Sequence, residues 1–126
     1  MRAVDTNVLV RLLIQDDARQ FERARAFVAG GAWVSHVVLA ETAWVLARLY
    51  RIEPGDIARM LEMLLSQHDV VLEDPQTVAA AVLAFRARPR LGFNDCLIVE
   101  IARKAGHLPL GTFDRELGKA DGAERI

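Results

Sequence analysis

Two hydrophobic periods alternate along this chain. Short apolar runs are each followed by a longer stretch in which apolar residues recur every three or four positions. The short runs read as strands at 2–5, 32–34, 69–72 and 108–112. The longer stretches read as helices. The first covers 7–14, and Gln15-Asp16-Asp17 follows as a turn with Asp17 as a cap. Residues 18–29 then carry Phe21, Ala24, Phe27 and Val28 on one face, until Gly30-Gly31 stops the helix. Ser35 or His36 opens a helix to about Tyr50, and Pro54-Gly55 breaks the pattern. Asp56 is then expected to cap a helix over 57–66, whose Ile57, Met60, Leu61, Leu64 and Leu65 form a face for the core or for a subunit interface. Glu73-Asp74-Pro75 starts a helix to about Arg88, ended by Pro89. Asn94 is expected to cap a last, central helix that holds Asp95 in its first turn and ends at Gly106. Glu124-Arg125-Ile126 is expected to begin a final strand. Strands alternating with helices predict an α/β fold, a short parallel sheet flanked by helices on both faces.

Composition narrows this little. The 126 residues suffice for a single domain over 1–126, and 52% hydrophobic with 26% charged residues predicts a folded chain. No apolar run reaches the ~18–20 residues of a membrane span. The start Met1-Arg2-Ala3-Val4-Asp5 lacks a signal-peptide layout, so a cytoplasmic location is expected. The lone cysteine, Cys96, excludes an internal disulfide and a cysteine-based zinc site, and reads as a small buried apolar residue. A net charge of −1 argues against a general polyanion-binding surface but leaves local nucleic-acid contacts open.

Four carboxylates carry the candidate chemistry. Asp5 ends the first strand, where α/β proteins bind ligands. Its simpler role is to cap the helix that follows. Glu41 lies one turn from Val37 and Val38 and one turn from Trp44 and Val45. It is therefore either a carboxylate on an apolar face, costly to desolvate, or one extended to water from a partly exposed helix. Asp95 opens the last helix, and Asp114 follows the fourth strand. With parallel strands all four fall at the carboxyl edge of the sheet. Carboxylates sharing a cleft repel one another, and a hard divalent cation such as Mg²⁺ or Mn²⁺ relieves that repulsion. Such a cation can activate water against a phosphodiester. Arg86, Arg88 and Arg90 precede Asp95 and are candidates for holding phosphates, or simply for favouring a solvated helix end. His36, His68 and His107 are expected in surface or capping roles.

Val4-Asp5-Thr6-Asn7-Val8-Leu9, the Glu41 helix, Asn94-Asp95-Cys96-Leu97-Ile98 and Gly111-Thr112-Phe113-Asp114 resemble the four motifs of the PIN domain. Their order, spacing and total length resemble the VapC-type toxins of bacterial toxin–antitoxin pairs. The resemblance implies a three-layer PIN-like fold and a metal-dependent endoribonuclease. It implies Asp5, Glu41, Asp95 and Asp114 around one or two Mg²⁺ or Mn²⁺ ions. It assigns Thr6, Asn7 and Thr112 to roles behind the ligands or against substrate. It further implies a homodimer held inactive by a small VapB-like antitoxin, in a heterotetramer or a larger complex. The antitoxin's C-terminal segment would cover the apolar first helices and reach the acidic site with an arginine. Two rival readings are weaker. A receiver-like signalling domain needs an acidic pair after the first strand, where Thr6-Asn7 stand, and a lysine near the last strand. A PIN-shaped scaffold without catalysis would not need all four acids.

Overall fold

The computed structural model describes residues 1–126. Strand β1 (Arg2–Ala3) leads into α1 (Thr6–Leu13) and α2 (Ala18–Val28), and β2 (Ala32–Val34) into α3 (His36–Arg48) and α4 (Pro54–Ser66). Strand β3 (Val70–Leu72) is followed by α5 (Pro75–Ala87), a short 3₁₀ turn at Pro89–Leu91, and α6 (Gly92–Ala105). Strand β4 (Leu110–Thr112), a second 3₁₀ turn at Leu117–Lys119 and β5 (Ala123–Arg125) complete the chain. Six helices packed with short parallel strands form a PIN-like α/β fold.

The strands form two sheets where one was expected. β1, β2 and β3 pair in parallel in that order, with Ala3 opposite Trp33 and Val34 opposite Leu72. β4 and β5 pair in parallel with each other, Gly111 opposite Glu124. Hydrogen bonding does not join the two sheets. The expected last strand is present, beginning one residue earlier at Ala123.

Local chemistry explains most helix starts. The side chains of Asp5, Asp17, Ser35 and Asp74 accept the N–H groups of Val8, Gln20, Val38 and Thr77. Each thereby satisfies a donor that the helix itself leaves unpaired. Two expected caps are not found. Pro54 opens α4 instead of breaking the chain, because a first-turn proline loses no hydrogen bond there, and Asp56 sits inside the first turn. Helix α6 begins at Gly92, so Asn94 lies within it; its Oδ1 is buried without a partner. Gly106, at φ 85°, ends α6 in the left-handed conformation that glycine adopts without steric cost.

A cluster of 21 buried residues fills the space between the helices and the three-stranded sheet. Leu9, Leu39, Leu46 and Leu61 are its most enclosed large side chains, each worth roughly 1.5–3 kcal/mol of burial. In α4, Ile57, Leu61 and Leu64 are buried, and Met60 and Leu65 pack against them, so that face belongs to the core. Phe93 of α6 meets Phe85 of α5 edge to face at 6.2 Å. Helix α6 is less central than expected: Phe93, Cys96, Leu97 and Val99 are buried, but Ile98 and Ile101 face outward. No helix is long and apolar enough to cross a membrane.

Candidate acidic active site

The carboxyl ends of the parallel strands place the acidic residues. Strand β1 ends at Ala3; Val4 continues its hydrogen bonding to the Trp33 carbonyl, and Asp5 follows. Asp5 is exposed, and its Oδ1 accepts the Val8 N–H at 3.2 Å, so it is a helix cap whatever else it does. The exposed Asn7 lies beside it at the mouth of a groove between α1 and α2. The buried Thr6 turns the other way and its hydroxyl donates a hydrogen bond to Glu41 Oε1, tying α1 to α3.

Glu41 is exposed, which settles its two readings in favour of water. The buried side of α3 is Leu39, Thr42, Ala43 and Leu46; Glu41 shares the outward stripe with Val37, Trp44 and Arg48. A desolvated carboxylate among apolar neighbours is therefore not what α3 contains. Thr42 obscured this in the sequence, because a polar residue occupies the buried face. Its hydroxyl is satisfied by the Val38 carbonyl at 2.8 Å, which lets it lie there.

Asp95, in the first turn of α6, is half-buried. Burial pushes its carboxyl above the usual range, and the charge of Asp114 pushes it further. Asp114 is exposed beyond β4. Its N–H donates to Thr112 Oγ1 at 3.0 Å, and its Oδ1 accepts the Leu117 N–H at 2.8 Å. Thr112 thus fixes the backbone that presents Asp114. Phe113, between them, is 80% exposed.

Asp95 feels the charge of Asp114, and Glu41 is held by Thr6, the residue after Asp5. No three of the His, Cys, Asp and Glu side chains come together as a metal-ligand set. Yet the charges are unbalanced. Ion pairs engage Asp16, Glu22, Asp56, Glu62, Glu73, Asp74, Glu100 and other acids, but none engages Asp5, Glu41, Asp95 or Asp114. The donors are all oxygens, the set that hard divalent cations take. In donor chemistry and charge, the residues fit a divalent cation.

The other candidates have structural partners. Cys96 is buried and its thiol is pushed up to about 11 by burial, then by Asp95 and Glu100, so it is no nucleophile. Arg86 forms a two-pronged pair with Glu62 at 2.9 and 2.6 Å, so it is committed to the α4–α5 contact and is not a free phosphate ligand. Arg88 and Arg90 have no such partner. His36 is not on the surface: its side chain is mostly enclosed, with Nδ1 3.8 Å from Glu73.

The PIN domain family model matches residues 2–123, and the chain belongs to the PIN-domain family. PIN domains are generally metal-dependent nucleases, which supports a nuclease here. A comparison with curated proteins returns no match.

Proposed function

We propose that this chain is a single PIN domain, a Mg²⁺- or Mn²⁺-dependent endoribonuclease, and the toxin of a VapBC-type toxin–antitoxin pair. One observation carries the nuclease reading: Asp5, Glu41, Asp95 and Asp114, the acids of the four motifs, are left without ion pairs in a chain that pairs most of its other acids. Asp95 and Asp5 would hold the cation most directly, with Glu41 and Asp114 completing its shell. Bound there, the cation would neutralise the acids and activate water for attack on phosphorus. The chain's own residues do the positioning. Thr6 orients Glu41 by its hydroxyl, the Asp5 carboxylate is held by the α1 N-terminus, and Thr112 braces the Asp114 turn. Asn7, exposed beside Asp5, would contact substrate.

The antitoxin reading has its own support. A groove of about 440 Å³ lies between α1 and α2, and its wall includes Asp5, Asn7, Val8, Arg23 and Phe27. An amphipathic segment laid there could reach the acidic edge with an arginine. A cytoplasmic homodimer, assembled with a VapB-like antitoxin as a heterotetramer or larger complex, is the accompanying proposal.

The test is RNA cleavage by purified protein with Mg²⁺ or Mn²⁺. Cleavage that EDTA stops, and that Asp5→Asn and Asp95→Asn abolish, supports the reading. Equal rates from wild type and both variants would indicate a contaminating nuclease and overturn it.

A further inference from the structure

We propose that the groove walled by Trp44, Arg48, Arg51 and Arg90 is the track along which single-stranded RNA approaches the acidic site. This rests on the ribonuclease reading above. The groove encloses about 840 Å³ between the end of α3, the α3–α4 connection and the start of α6. Its two helical walls both lead to the acids. On α3, Trp44 and Arg48 share the outward stripe of Glu41, at spacings of three and then four residues. At 1.5 Å of rise per residue, about 10 Å of helix separates Glu41 from Arg48. On α6, Gly92 lines the groove one turn before Asp95.

The chemistry of the walls suits a single strand. Arg48, Arg51 and Arg90 are exposed and make no ion pair; other arginines are also free, but these three line one groove. Glu53 is the one acid on the walls. In a chain of net charge −1, three free guanidiniums in one groove form a local positive field beside a negative site. Trp44 adds a flat aromatic surface, 49% exposed. Free cations along a groove together with an aromatic platform are what an unpaired strand requires, for its phosphates and its bases respectively. A duplex would keep its base faces stacked inside and have no use for Trp44.

Arg51 also closes α3, the Ile52 N–H returning around it to the Leu46 carbonyl at 3.0 Å. Its φ is 53°, in the left-handed region that side chains with a Cβ adopt at a cost. A glycine would take this conformation without strain, yet an arginine stands there with its charge at the groove.

The test is fluorescence anisotropy of a labelled single-stranded RNA oligonucleotide, with EDTA present so that binding is read without cleavage. Wild type, Trp44→Ala, the double variant Arg48→Ala/Arg51→Gly, and a control Arg19→Ala, which removes an exposed α2 arginine without an ion pair, are compared at several salt concentrations. The double variant is expected to bind roughly tenfold more weakly and to lose about 1.4 from the slope of log affinity against log salt, for two phosphate contacts. Trp44→Ala is expected to weaken binding by roughly tenfold with the slope unchanged, and Trp44→Phe to restore most of it. Arg19→Ala should match wild type. The melting temperature of Arg51→Gly should not fall, since glycine relieves the backbone; weaker RNA binding at undiminished stability separates contact with RNA from a structural role. Wild-type affinity and slope in every variant, with RNA cleavage intact, would overturn the track and leave the ribonuclease standing. If those variants instead lost dimerisation in sedimentation, the groove would be a contact between copies and the proposal would fall. A wild type that neither binds nor cuts RNA would remove the ribonuclease reading itself.

Discussion

Two aspartates at the starts of adjacent helices show opposite uses of the same side chain. Asp74 caps α5. It accepts from the Thr77 hydroxyl at 2.6 Å and from the Thr77 N–H, and Lys104 of α6 reaches it at 2.6 Å. These bonds, the one from Lys104 foremost, hold its carboxyl down to about 2. Asp95 stands in the first turn of α6, the helix that packs most extensively on α5, and has no such company. Burial and Asp114 push its carboxyl up, and no cation answers it. A folding chain of two lysines and fourteen arginines had cations to spare. Lys104 balances Asp74, and no side chain balances Asp95.

The difference can be broken by exchanging the two sites' roles in experiment. The largest effect is expected on turnover. Asp95→Asn should lower RNA cleavage by at least ~10²-fold, the scale of removing an electrostatic group from an active site. Asp74→Asn should leave cleavage near the wild-type rate and lower the melting temperature instead. Next comes the support of Glu41: Thr6→Val keeps the buried shape but removes the hydroxyl, and should cost about 10–100-fold in activity or metal affinity, read by cleavage rates across a Mn²⁺ series. Smaller again is ligand-linked stability. Mn²⁺ at ~100 times its Kd should stabilise wild type and Asp74→Asn by about 2.7 kcal/mol in thermal unfolding, and Asp95→Asn by much less.

The smallest effect is on the pH dependence of metal-free stability, and the two aspartates should move it in opposite directions. Asp95 has a raised folded pKa, so its neutral form is favoured by folding, and that contribution is lost as pH rises through the raised value. Asp95→Asn should therefore unfold at a higher temperature than wild type near neutrality. The gain should vanish below the ordinary value of 3.8. Asp74 has a depressed folded pKa, so its contribution is present above 3.8 and lost as pH falls towards about 2. Asp74→Asn should be the less stable protein near neutrality and converge on wild type in acid.

Much of this architecture is written in short-range signals. The capping residues Asp17, Ser35 and Asp74, the punctuation at Gly30-Gly31 and Gly106, and the 3.6-residue periods place the helices within a few residues. The misplaced starts of α4 and α6 share a pattern: Asp56 and Asn94 have capping side chains, yet each lies inside its helix, and at α4 a proline opens the first turn, where its missing N–H costs no hydrogen bond. The split of the strands into two sheets depends on long-range pairing that no local pattern carries. Glu41 shows a similar limit. Helix α3 is apolar on most sides, so periodicity alone does not choose between the face of Leu39 and Leu46 and the face of Val37 and Trp44. Arg48, at the end of the outward stripe, was the signal available. The free state of Arg48, Arg51 and Arg90, against the commitment of Arg86 to Glu62, is visible only once partners are assigned in space.

The central claim is that the unpaired acids around Asp95 await a divalent cation. Calorimetric titration of Mn²⁺ into wild type, Asp95→Asn and Asp74→Asn at neutral pH tests it without reference to any substrate. Saturable binding by wild type and Asp74→Asn, weakened at least tenfold in Asp95→Asn, is the predicted result. Equal binding by all three proteins, or no binding by wild type, would contradict it.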